Sequence, residues 1–227
     1  MTPQPSALPA PPFTREALAI LFARPCFRSF QKAGHPSHYW APLLSVCSGA
    51  RRNEIFFLRP QDVHRREGVW CLHFAAGAAS QSVKGPSARD IPVHPWLLRL
   101  GFIEFVDSCR QSQPEERLFS EYRSMGEQAG VLFSRNFVHW IKTTRERLPV
   151  DQQPLFVEDF HFPSLRALFL VAAARSGMEA TVLHQIEGRE HGQTVRVEVI
   201  DRAIRNMDIE AFFPQVDPYA ELTASAG

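Results

Sequence analysis

Apolar residues recur at helical spacing along most of the chain and at strand spacing in one stretch. Thr14 offers an N-cap for a helix from about Arg15 to Ala23, with Leu18, Leu21 and Phe22 on one stripe. Gly34 and Pro36 break a loop that runs from Phe27 to Ser37. The apolar run that follows predicts a helix from Tyr39 to Cys47, with Pro42 tolerated only in its first turn. A second helix follows from Arg52 to Leu58, and Pro60-Gln61-Asp62 forms a turn. From Gly68 the period changes. Val69 to Phe74 predicts a strand and Ala88 to Val93 a returning strand, with Pro92 at an edge or a strand end. Pro95 opens a long amphipathic helix to about Cys109, after which Gln111 to Gly130 is polar and loop-like. Further helices are predicted over Ser134 to Leu148, from Pro163 to a stop at Gly177, and over Glu179 to Ile186 before Gly188. Val195 to Met207 fits either period. The pattern predicts an α+β fold, mainly helical, with one small antiparallel sheet.

Composition narrows this picture. A chain of 227 residues with 44% hydrophobic and 22% charged content is that of an ordinary soluble globular protein. It suits one large domain, here residues 13–207, with a Pro/Ala/Ser-rich disordered arm over 1–12 and a tail over 208–227. Phe212 and Phe213 give that tail aromatics with which to dock. No apolar run approaches a membrane span, and the N-terminus lacks the basic start and apolar core of a signal peptide. Cys26, Cys47, Cys71 and Cys109 show neither metal nor redox spacing, with Cys47 expected buried and reduced. A cytoplasmic protein without membrane, metal or cofactor is the expectation. The net charge of +1 is low for a nucleic-acid binder, although a neutral total can hide a basic face. Of the 25 basic residues only Lys32, Lys84 and Lys142 are lysines.

The chemistry centres on Ser48-Gly49-Ala50-Arg51-Arg52-Asn53-Glu54-Ile55. Gly49 ends one helix and opens the next, which sets Arg51 near a helix start, where free N–H groups favour an anion. Taken alone, such an arginine is a surface residue of an amphipathic helix. With the preceding Tyr39-Trp40-Ala41-Pro42-Leu43-Leu44, the phrase resembles the first active-site box of the phage integrase, or tyrosine recombinase, family. That resemblance covers roughly Phe13 to Thr194 and implies the family's catalytic-domain fold.

The resemblance also implies site residues. Arg51 would bind the scissile phosphate, and its planar fork suits two phosphate oxygens. Glu54 would orient its neighbours, or simply form a salt bridge. Lys84, in Val83-Lys84-Gly85-Pro86-Ser87-Ala88-Arg89-Asp90-Ile91-Pro92-Val93-His94-Pro95, matches the hairpin lysine that acts as general acid, with Arg89 also on the DNA face. The Lys-to-Pro spacing is slightly short for that hairpin. In His161-Phe162-Pro163-Ser164-Leu165-Arg166 the arginine of the family's His-x-x-Arg box is present. Pro163 replaces the histidine, and His161 stands two residues upstream. In Gly188-Arg189-Glu190-His191-Gly192, Arg189 occupies the second histidine position; an arginine holds phosphate but is a poor proton carrier. His191 reads as a turn residue. The nucleophilic tyrosine expected nine or ten residues later is absent, with Glu198 and Val199 in its place. Glu198 would oppose phosphate unless paired with Arg196 or Arg202. Tyr39 reads as packing and Tyr122 as a loop residue. Tyr219 is the only tyrosine C-terminal to the boxes.

The expected function is therefore a degenerate recombinase domain linked to DNA recombination or integration. It would bind double-stranded DNA, itself or other recombinase subunits, but would not cut. The family's N-terminal DNA-clamping domain is missing from this chain. Two alternatives stand beside this one: an active recombinase using Tyr219, and an interaction module that has lost DNA binding.

Overall fold

The computed structural model describes residues 13–22, 35–75, 88–156, 160–189 and 194–210. Lys84, Asp159, His191 and Tyr219, the arm over 1–12 and the tail aromatics lie outside them. Among the described residues the chain forms α1 (Arg15–Phe22), α2 (Pro36–Ser48) and α3 (Arg52–Phe57), then a 3-10 turn at Pro60–Asp62. Three strands follow: β1 (Val63–Arg66), β2 (Val69–Phe74) and β3 (Arg89–Pro92). Then come α4 (Pro95–Arg99), α5 (Phe102–Ser112), a 3-10 stretch at Ser120–Gln128, α6 (Ala129–Glu146), α7 (Phe162–Arg175), α8 (Ala180–Glu187) and α9 (Val197–Arg205). The predicted α+β class holds: mostly helix with one small antiparallel sheet in the order β1-β2-β3.

α2 is the central helix. Tyr39 to Ser48 are all buried, so it packs on every side rather than along one stripe. This explains why Pro42 is tolerated in the second turn, not only the first as expected. The proline removes one i→i−4 bond, and complete burial of apolar surface at about 25 cal/mol per Å² offsets that loss. Gly49 ends α2 with φ +63, and its N–H reaches the Ser45 carbonyl at 3.2 Å. A Cβ there would lie 2.6 Å from the ring of Phe169 on α7, so only glycine allows both the left-handed turn and the close packing of α2 against α7.

Around this helix the core is aromatic. Phe133 on α6 lies 4.9 Å from Phe56 of α3 and 5.1 Å from Phe162 of α7, centroid to centroid, which ties three helices together. Trp40 stacks on Phe105 of α5 at 5.6 Å. The sheet register pairs Val63 with Leu72 and Leu72 with Ile91, placing these three residues on the buried face. His64, Cys71, His73 and Asp90 share the opposite face. There Asp90 accepts from Arg66 at 2.6 Å and contacts His73 Nδ1 at 2.8 Å.

Several expectations are corrected. Val63 to Arg66 is absent from the predicted strands, yet as β1 it pairs along β2 although three of its four residues are polar. The long helix from Pro95 is two helices, because Gly101 takes φ +83. α6 begins at Ala129, ahead of the expected start at Ser134. Val197–Arg205 is helix, resolving the ambiguous stretch.

Candidate functional site

The α2–α3 turn, the first half of α7 and the end of α8 meet at Arg51. Arg51 is the N-cap of α3 in extended backbone. Its amide, expected to be free for an anion, instead donates to Glu54 Oε2 at 2.7 Å. The guanidinium Nη1 donates to the Glu187 carbonyl at 2.9 Å and lies 3.5 Å from Glu54 Oε1. About a third of the Arg51 side chain stays open to solvent.

Arg166, in the second turn of α7, reaches the same place from a site more than a hundred residues along the chain. Its Nε donates to the Gly49 carbonyl at 2.7 Å and its Nη2 to Glu187 Oε1 at 3.1 Å. Burial pushes the Arg166 guanidinium below its ordinary pKa, and the neighbouring Arg51 adds to this while Glu187 opposes it. A guanidinium remains charged at neutral pH nonetheless. Arg189 contributes a third cation: its Nε lies 2.9 Å from Glu187 Oε2, and most of its side chain is exposed.

Glu187 is therefore the hub, its carbonyl and both carboxylate oxygens each occupied by a different arginine. Sequence reasoning passed over it. One signal was present: an acidic side chain in the last turn of a helix opposes the macrodipole and asks for a cation.

Arg89 corrects an expectation. Rather than facing DNA, it is buried in full, and its fork clamps Glu54 at 2.9 and 3.0 Å. Its Nε donates to the Ile186 carbonyl at 2.6 Å, and the guanidinium stands 5.1 Å from the Phe74 ring. The inward face of β3 carries position 89, so the alternation of the strand sends Arg89 to the core and Asp90 outwards. Glu54 thus does both jobs considered for it: it is salt-bridged, and it orients Arg51.

Beside this network lies a cleft of about 280 Å³ lined by Ser45, Ala50, Arg51, Arg52, Asn53, Pro163 and Arg166. Arg52 and Asn53 are pressed from behind by Gly130, where a Cβ would meet Asn53 Oδ1 at 2.7 Å. In the network four guanidiniums, those of Arg51, Arg89, Arg166 and Arg189, face two carboxylates, an excess of two positive charges. Such a cleft offers arginine forks to a phosphate. None of its lining residues is a ready proton carrier near neutral pH.

The other expected residues fall elsewhere. His161 precedes α7, is exposed, and turns its Nδ1 to Ser164 Oγ. Pro163, standing where the family has histidine, is the residue that lines the cleft. Tyr39 is buried and its hydroxyl is pushed up to about 12 by that burial. Tyr122 bonds to Asn136, and burial raises its hydroxyl too. Glu198 and Val199 lie in the first turn of α9. The Glu198 carboxyl is lowered chiefly by a hydrogen bond with Glu67, whose own carboxyl is raised by it. Arg196 lowers Glu198 further.

Among the described residues no group of three His, Cys, Asp or Glu side chains is placed to hold a metal ion, and no helix is long and apolar enough to cross a membrane. Cys47, Cys71 and Cys109 are free thiols, and burial, with Glu210 adding, pushes Cys47 well up. No family model, curated protein or solved structure matches this chain.

Proposed function

We propose that this chain is a phage-integrase-like, DNA-binding domain that holds duplex DNA by its phosphates and does not cleave it. The observation that carries this reading is the meeting of Arg51 and Arg166 on Glu187 at the rim of one cleft. Those are the two arginines for which the family resemblance demanded a shared phosphate. The reading adopts the recombinase catalytic-domain topology for residues 13–207, with cytoplasmic DNA recombination or integration as the setting. DNA strand transfer needs an acid for the leaving oxygen and a nucleophile for phosphorus. Arg189 stands in for one histidine and Pro163 for the other; the guanidinium does not release its proton near neutral pH and proline has none to give.

The test is incubation of the full chain with nicked duplexes that trap a covalent protein–DNA adduct. Binding without an adduct is the expected result. An adduct that disappears in Tyr219→Phe would replace this reading with that of an active recombinase. A chain that binds no duplex at low salt would be an interaction module whose partners are proteins.

A further inference from the structure

Arg52 lines the same cleft as Arg51 and Arg166 but carries its charge differently. Arg51, Arg166 and Arg189 each share a carboxylate, that of Glu54 or Glu187. Arg52 is held by a neutral acceptor instead: its Nε donates to Asn53 Oδ1 at 3.3 Å. Among the described residues no carboxylate pairs with Arg52, and its two terminal nitrogens make no bond. A side-chain amide cancels none of the guanidinium's charge. Arg52 therefore keeps its full charge and an open edge of its fork.

The stem of Arg52 is fixed as well. Gly130, in the first turn of α6, lies against it: a Cβ there would stand 2.9 Å from Arg52 Cγ and 3.3 Å from Cδ. The same Cβ would meet Asn53 Oδ1 at 2.7 Å. Gly130 is not among the glycines of positive φ, so its backbone does not require glycine. Space requires it, because α6 comes close enough to hold the Arg52 stem and its Asn53 partner together. Arg51 turns to α8 instead, with its Nη1 on the Glu187 carbonyl. The two consecutive arginines are thus anchored on different helices.

We propose that Arg52 is a further phosphate ligand of the cleft, taking a phosphate next to the one held by Arg51 and Arg166, and that Asn53 and Gly130 position it for that contact. This rests on the reading of the chain as a binder of duplex DNA. The uncompensated charge is the reason. An anion on Arg51 and Arg166 is repelled by the Glu187 carboxylate beside them, whereas Arg52 has no such competitor among the described residues. Three guanidiniums line one cleft, and their mutual repulsion is relieved when an anion enters. A fork held at Nε leaves Nη1 and Nη2 to meet phosphate oxygens.

The experiment is duplex binding by fluorescence anisotropy across a salt series, with the full chain and each variant checked for folding by circular dichroism. Arg52→Gln keeps a stem against Gly130 and removes the charge. Affinity at fixed salt should fall by about tenfold or more. The slope of log affinity against log salt should become shallower by about one. Arg52→Lys should restore the slope but not the whole affinity, since an ammonium lacks the fork. Gly130→Ala leaves every charge in place and should weaken binding by displacing Arg52. In the Arg52→Gln background it should add little, because the two changes act on one contact. Wild type that binds duplex while Arg52→Gln matches it in affinity and slope would overturn the proposal and leave the DNA reading standing. Losses from Gly130→Ala and Arg52→Gln that add in full would overturn the positioning role of the glycine. Wild type that binds no duplex at low salt would overturn both the proposal and the reading beneath it.

Discussion

Replacing Glu54 by glutamine tests the electrostatic centre of the fold. Glu54 and Arg89 have no exposed side-chain surface, and the two bonds between them are 2.9 and 3.0 Å long. Glutamine keeps the shape but turns one oxygen into an NH₂ group. If that group takes the Oε2 position, it faces the Arg89 fork and the Arg51 amide, both donors. Removing one partner of a buried pair strands the other charge and costs about 3–5 kcal/mol. For a chain of this size each kcal/mol moves Tm by roughly 2–4 °C, so Glu54→Gln should melt roughly 6–20 °C lower. Urea denaturation followed by circular dichroism should show the midpoint fall at unchanged slope. The double replacement Glu54→Leu with Arg89→Met removes both charges and should recover most of the loss, because a buried pair contributes little net stability over an apolar one. That variant would fold, and under the proposed function it would still bind DNA poorly, since Arg51 no longer has its orienting carboxylate. A Glu54→Gln protein within about 1 kcal/mol of wild type would refute the reasoning, because it would mean that Arg89 reaches water when its partner is removed.

Other perturbations have equally definite outcomes. Gly49→Ala combines a left-handed φ with a Cβ 2.6 Å from Phe169, so chemical denaturation should show a loss of about 2 kcal/mol or more, together with weaker DNA binding. Phe133→Ala empties the junction of α3, α6 and α7 and should cost about 3–5 kcal/mol by the same assay. Burial raises the Asp90 carboxyl, but the bonds from His73 and Arg66 outweigh it and hold the group below its ordinary range. Its stabilisation is present above the unfolded carboxylate pKa and is lost as the pH falls through the folded one, and Asp90→Asn should flatten that part of the stability profile. His94 acts in the same direction: the unfolded chain takes up its proton first, so stability falls from about pH 6.5 down to about 4, by about 3 kcal/mol in all. His94→Gln should remove that loss from urea midpoints measured across the range.

Where local chemistry decided the structure, the sequence was readable. β2 has the bounds its β-prone run predicts, and Gly49, Pro163 and Gly188 mark helix ends as their backbone preferences require. Tertiary packing decided the rest. Val63–Arg66 has only one buried residue and becomes a strand because β2 offers it a ladder. Arg52 to Glu54 looked like a solvated helix start, but the closure of β3 and α8 over it buries Glu54. At the site, the family resemblance singled out Arg51 and Arg166, and the fold brings the two together on Glu187. The same resemblance put Arg89 on the DNA face, and only strand alternation and the buried Glu54 opposite send it inwards. Glu187 drew no notice because a single acidic residue near a glycine has many uses, and two of its three arginine partners, Arg51 and Arg166, come from other stretches of the chain.

The most direct test of the proposed phosphate-holding role of the cleft is fluorescence anisotropy with a labelled duplex across a salt series. Wild type would be compared with Arg51→Ala/Arg166→Ala, both checked for folding by circular dichroism. Affinity that falls linearly with log salt in wild type is predicted. In the folded double variant the slope should be shallower by about two, roughly one for each phosphate that the protein no longer neutralises. Equal slopes and affinities for the two folded proteins would contradict the claim that these arginines hold DNA.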